Sequence, residues 1–324
     1  MPTLQSFSFD AFVVEAGFLG GAAAFALGDG SVRITAGEAA ERVAVHSGTI
    51  LSATFIEDRK GLLTGGDDGL VALTAGSGAV ERLAERPRKW IDQIASGPNG
   101  AVAFATGRQA TVRFADGRER VFDHPRSVGG LAFAPKGMRL AVARYDGVTL
   151  WWVGTDAEPA MLKWAGAHLG VLFSPDGRFV ITTMQENALH GWRIEDGKDM
   201  RMSGYPAKPR SMSWSAKGKY LATSGANAAV LWPFQAKDGP MGKPPLQLGP
   251  RDALVTRVAC HPREELAAIG YADGLILAVR FADGEEAPLC PAGGGPVTAL
   301  AWDAAGGRLV FGTEQGAAGV IGVA

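Results

Sequence analysis

A polar or acidic turn followed by a short apolar strand recurs eight times along the chain. The segments are GDGSVRI, DDGLVAL, RQATVRF, YDGVTLWW, QENALHGW, GANAAVLW, ADGLILAV and EQGAAGVI. Their equivalent turn positions are Asp29, Asp68, Gln109, Asp146, Glu186, Ala226, Asp273 and Gln315, spaced 37 to 47 residues apart. A period of this length implies one supersecondary unit repeated. A single unit cannot bury its own apolar face and must stack on the next.

A second anchor precedes most of these turns. It is an aromatic or apolar residue at the start of a tight turn: Phe55-Ile-Glu-Asp, Phe133-Ala-Pro-Lys-Gly, Phe173-Ser-Pro-Asp-Gly, Trp214-Ser-Ala-Lys-Gly, Cys260-His-Pro-Arg and Trp302-Asp-Ala-Ala-Gly. Each unit then reads strand, turn, strand, acidic turn, strand, loop, strand. Runs of four to seven apolar and β-branched residues between turn signals are strand signals, and no long window has helical periodicity. The 45 glycines are spread along the chain and serve these turns. Four antiparallel strands every forty or so residues describe the blade of a β-propeller.

The fold expected is therefore all-β: a closed β-propeller of four-stranded antiparallel blades, a single domain over residues 1–324. Eight blades are favoured. Seven is the alternative and requires one unit to be merged or extruded. The eighth unit supplies three strands, and the alternating segment Leu4–Phe9 is placed to complete it as an outer strand. That closure removes an open strand edge.

These residues resemble the WD40-repeat family. Phe173-Ser-Pro-Asp-Gly-Arg-Phe-Val is similar to its first hairpin, and Tyr145-Asp-Gly-Val-Thr-Leu-Trp-Trp152 to its second. The resemblance puts Trp152, Trp192 and Trp232 in the family's tryptophan position. It puts His46 and His124, each nine residues before Phe55 and Phe133, at its histidine. The tryptophan position is Thr35, Thr74, Ala115, Val279 and Ile321 in the other units. The family's buried His–Ser/Thr–Asp–Trp network is thus expected to be incomplete in every blade, and nearest to complete in the fourth, with His124, Asp146 and Trp152.

Composition excludes several functions. The formal net charge is -1, so no global field draws nucleic acid or an acidic membrane. Nucleic acid is not an expected partner. Met1 to Asp10 lacks the layout of a signal peptide, and no long uninterrupted apolar stretch appears, so no membrane association is expected. The two cysteines, Cys260 and Cys290, imply no disulfide framework and fit a reducing, cytoplasmic setting. The five histidines have no HExxH spacing, the cysteines no CxxC spacing, and no P-loop or nucleophile elbow is present. No enzyme, cofactor or metal is expected.

Function is therefore expected at loops carried on a rigid scaffold. In the resembled family the narrow face is the usual partner site. It is formed by the loops leading into each first strand and by the turns between second and third strands. On that face the sequence places Trp90, Arg108, Arg126, Tyr145, His168, Gln185, Arg210 and Arg251. Arg, Trp and Tyr are the types enriched at interface hot spots. The expectation is a non-catalytic scaffold, monomeric on its own, that binds a protein partner through an acidic segment. The alternative is a propeller enzyme, or a small-ligand or metal-binding protein, that uses the central channel.

Overall fold

The computed structural model describes residues 3–56 and 60–323. Glu57 and Asp58 of the second unit's hairpin anchor lie outside the described residues. The strands form seven antiparallel sheets. In chain order they span residues 13–44, 50–85, 94–123, 128–202, 212–248 and 255–290, and the seventh combines 297–322 with Thr3–Ser8. Six sheets have four strands and the fourth sheet has six.

Burial along each sheet explains its composition. The second strand of the first sheet, Ala22–Leu27, is AAAFAL and almost wholly buried. It is covered on both faces by neighbouring sheets, so its apolar run is continuous rather than alternating. The outer strand Glu119–Asp123 is covered on one side only and shows mixed exposure. Fully buried rings such as Phe25 and Phe104 fill the gaps between sheets, and each contributes about 2–3 kcal/mol through burial.

The favoured count of eight separate blades is corrected to seven sheets, because units four and five are merged. Strand Arg139–Trp152 runs through the fourth unit's acidic turn without a break, and strand Ala160–Phe173 continues from the fourth unit into the fifth. Arg139–Trp152 folds back at Tyr145 and Asp146: Asp146 has φ 70, and Val153 N–H donates to Met138 O at 2.9 Å. The tip residue Tyr145 then pairs with Ala167, in the segment joining the two units. That segment stays in the sheet instead of leaving it as a loop.

Eight apolar clusters hold the ring. Seven join successive sheets, and one lies inside the six-stranded sheet, linking Ala141, Val148, Leu162, Phe173, Val180 and Trp192. Hydroxyl groups on the innermost strands add bonds from sheet to sheet. Ser52 Oγ donates to Ile91 O, Ser211 Oγ to Val258 O and Thr256 Oγ1 to Val297 O. The N-terminal strand completes the last sheet as the sequence predicts, with Thr3 opposite Gly322 and Ser8 opposite Ala317.

Candidate functional site

The narrow face is made where each innermost strand begins and where the second and third strands turn. The loops before Val128, His168 and Met212 converge with the Tyr145 tip on a cleft of about 1040 Å³. Its wall is largely backbone. Ser127, Val128 and Gly129 form one side, and Ala167, Leu169 and Gly170 another. Gly129 is forced by packing: a Cβ there would lie 2.3 Å from His168 O.

Charged and aromatic groups project into this frame. Arg126, Lys208 and Arg210 supply three cations, Tyr145 an aromatic ring that is 49% exposed, and Asp92 the one carboxylate lining the cleft. Lys208 Nζ donates to Gln185 Oε1 at 2.7 Å, which fixes its direction. Among the described residues, neither Arg126 nor Arg210 has an ion-pair partner. Arg210 N–H is held by Ser224 Oγ at 3.1 Å, so its backbone is anchored while its side chain is exposed.

The eight sequence-predicted residues divide. Arg126, Tyr145, His168 and Arg210 come together at the cleft, and Gln185 serves it by orienting Lys208. Arg108 lines a neighbouring recess of about 680 Å³ with Lys89 and Gln109. Trp90 is 69% exposed and lines neither space. Arg251 is held in an ion pair with Glu286, which raises the guanidinium pKa and uses up its charge. His168 lines the cleft from within its wall. It is 1% exposed, its Nε2–H donates to Trp164 O at 3.1 Å, and its Nδ1 accepts from Thr182 Oγ1 at 2.8 Å. Burial lowers its pKa, so the ring is a neutral structural strut rather than a contact residue.

Sequence reasoning missed Asp92 and Gln93. Both stand just after Trp90 in the loop before Ile94, and that position was the available signal.

The buried polar networks also differ from expectation. The second unit holds three of four members: His46 Nδ1–H donates to Asp68 Oδ1 at 3.0 Å and His46 Nε2 accepts from Thr64 Oγ1 at 2.9 Å. The fourth unit, expected to be nearest complete, is not. Its hairpin turn is short, and Arg139 lies over the Trp152 ring at 5.2 Å, so these two residues face each other across the strands. The register moves by one residue, which reverses every side chain. Trp152 is therefore 44% exposed, while Trp151 packs inward against Phe122 and His124. The sixth unit builds a substitute from Tyr205, nine residues before Trp214. Trp232 Nε1–H donates to Tyr205 Oη at 2.6 Å, and Tyr205 O–H donates to Thr223 Oγ1 at 2.6 Å.

Among the described residues no group of three or more His, Cys, Asp or Glu is placed to hold a metal ion. Burial pushes the Cys260 thiol up to about 12, which leaves it protonated and a poor nucleophile. No helix among the described residues is long and apolar enough to cross a membrane.

No protein-family profile matches the chain. Protein hir1 of Schizosaccharomyces pombe is 23% identical over 229 residues, covering 61% of this chain and 22% of that protein. WD repeat-containing protein 55 of Homo sapiens is 25% identical over 170 residues, covering 48% of this chain and 43% of that protein. The rat protein of the same name is 24% identical over 211 residues, covering 61% and 54%. The chain thus spans about half the length of these relatives or less. In fold it is similar to the computationally designed Ika8 protein, with a TM-score of 0.76 at 18% identity over 98% of both chains. A chain of the mitotic checkpoint complex gives 0.66 at 15% identity, over 81% of this chain and 84% of that one. WD-repeat relatives at low identity and a β-propeller fold support the same assignment: the chain is consistent with a divergent propeller of the WD40 type.

Proposed function

We propose that the chain is a non-catalytic interaction platform that receives an acidic segment of a protein partner in the narrow-face cleft. The observation that carries this reading is the charge balance there: three cations against one carboxylate, with Arg126 and Arg210 free of ion-pair partners among the described residues. Arginines held ready on a rigid wall beside an exposed tyrosine suit carboxylate recognition. The WD-repeat relatives fit a propeller used as a scaffold. Two free cysteines fit a reducing, cytoplasmic setting, and the platform is read as a monomer.

The test is affinity capture from the native cell with wild type and with the Arg126→Glu, Arg210→Glu double variant. The reading expects one or more partners to be lost from the variant while its melting temperature is unchanged. An identical set of partners would sink it.

A further inference from the structure

The axis of the ring contains a second polar site, which meets the cleft at Arg210. Two cavities of about 480 and 450 Å³ are lined by innermost strands. Glu15 lines both and is the only carboxylate among their described lining residues. Arg257 lines the smaller one. The two side chains come from the first and sixth sheets, which flank the innermost strand of the seventh.

Both charges lie within the ring and are half-buried, yet among the described residues no ion pair joins them. Among the described residues Glu15 Oε1 accepts only from the adjacent Ala16 N–H, at 3.0 Å. Arg257 Nε donates to Thr298 O at 2.5 Å and Nη1 to Thr256 O at 3.1 Å, while its Nη2 has no hydrogen-bond partner among the described residues. Burial raises the Glu15 pKa and lowers that of Arg257, and each is partly pulled back by the field of the other. Half-buried opposite charges gain by closing into contact, and this pair stands open to the cavity. Two opposite charges held apart across a cavity of small-molecule size instead mark a ligand site.

We propose that this axial cavity binds a small zwitterion of amino-acid size, its ammonium on Glu15 and its carboxylate on Arg257. A simple anion would meet the Glu15 carboxylate, and a simple cation would meet Arg257. A dipolar ligand supplies both missing partners and leaves no like-charge contact. Arg210 borders this cavity and the narrow-face cleft alike.

The experiment is calorimetric titration and thermal melting of the full chain with each common free amino acid, and with acetate and methylammonium as single-charge controls. At least one amino acid is expected to bind saturably and raise the melting temperature, with both controls far weaker. Glu15→Gln keeps the shape and the Ala16 hydrogen bond, and should weaken binding about tenfold or more. Arg257→Gln should do the same, and Arg257→Lys, which preserves charge, should recover part of the loss. Arg126→Glu, in the cleft, should bind as wild type does. The proposal is overturned if no amino acid binds, if acetate or methylammonium binds as tightly as the amino acid, or if Glu15→Gln binds unchanged.

Discussion

Thr298 Oγ1 donates a buried hydrogen bond to Val13 O at 2.6 Å across 285 residues of sequence. The donor lies in the last sheet and the acceptor in the first, so this one hydroxyl spans the seam where the ring closes. Replacing Thr298 by Val preserves the shape and removes the donor. The stranded carbonyl should cost about 1–3 kcal/mol in denaturant unfolding. Wild-type stability in Thr298→Val would mean that this hydroxyl adds nothing to the other contacts of the seam.

Gly316 sits in the turn that presents the last strand to the N-terminal strand. Its φ is +86, and a Cβ there would lie 1.8 Å from Phe9 O. Gly20 also has a positive φ, +59, but open space around it. Gly20→Ala should therefore cost about 1 kcal/mol from backbone strain alone. Gly316→Ala should cost about 2 kcal/mol or more, since strain and clash add. Equal melting temperatures for the two variants would contradict the proximity of Phe9.

Two histidines make stability fall in acid. Burial, with help from Arg144, holds the His124 pKa down at about 4, and burial with His168 and Arg201 nearby holds His190 at about 3. Asp199 Oδ2 is 3.5 Å from His190 Nε2 and half exposed, too distant to offset this. Unfolded, both rings take up a proton near pH 6.5, so below that pH the unfolded chain binds more protons. Stability is fully present above pH 6.5 and is lost as pH falls towards 4 and then 3. His190→Phe keeps the stack on Trp164 and should flatten the acid limb of a melting profile. An unaltered limb would assign the loss to other groups.

The sixth unit depends on a chain of donors running from Trp232 through Tyr205 and Thr223 to Val230 O. Burial pushes the Tyr205 phenol up to about 12, so it stays a donor throughout the physiological range. Tyr205→Phe leaves the indole N–H without an acceptor and takes from Thr223 Oγ1 the bond it accepts, while its own bond to Val230 O remains. Stability should drop by about 1–3 kcal/mol, and tryptophan emission should shift as the indole loses its hydrogen bond. Neither change would be seen if water replaced the phenol.

The strands were legible because their signals are local: Phe173-Ser-Pro-Asp-Gly and Asp68-Gly69 write their own turns. The merger of units four and five was not. It depends on Tyr145 pairing with Ala167, a contact between a hairpin tip and a segment whose composition resembles a loop. Trp152 was misplaced for a related reason, because one residue fewer in the turn inverts the strand and no side chain announces it. At the site, exposed arginines could be found from turn spacing, and Arg126 and Arg210 do line one cleft. His168 occupies the same kind of position yet turns inward, since Thr182 and Trp164 O give it partners that only the fold supplies. Tyr205 stands where a histidine is usual, and its role emerges only when Trp232 is seen beside it.

The outermost strand of the last sheet has a mechanical consequence. Thr3 lies opposite Gly322, so both ends of the described chain leave the ring side by side. Tension applied between those ends would peel Thr3–Ser8 away one rung at a time, instead of shearing every rung at once. The molecule is therefore built to give way first at a single zipper on its rim, with the narrow face still intact while it opens.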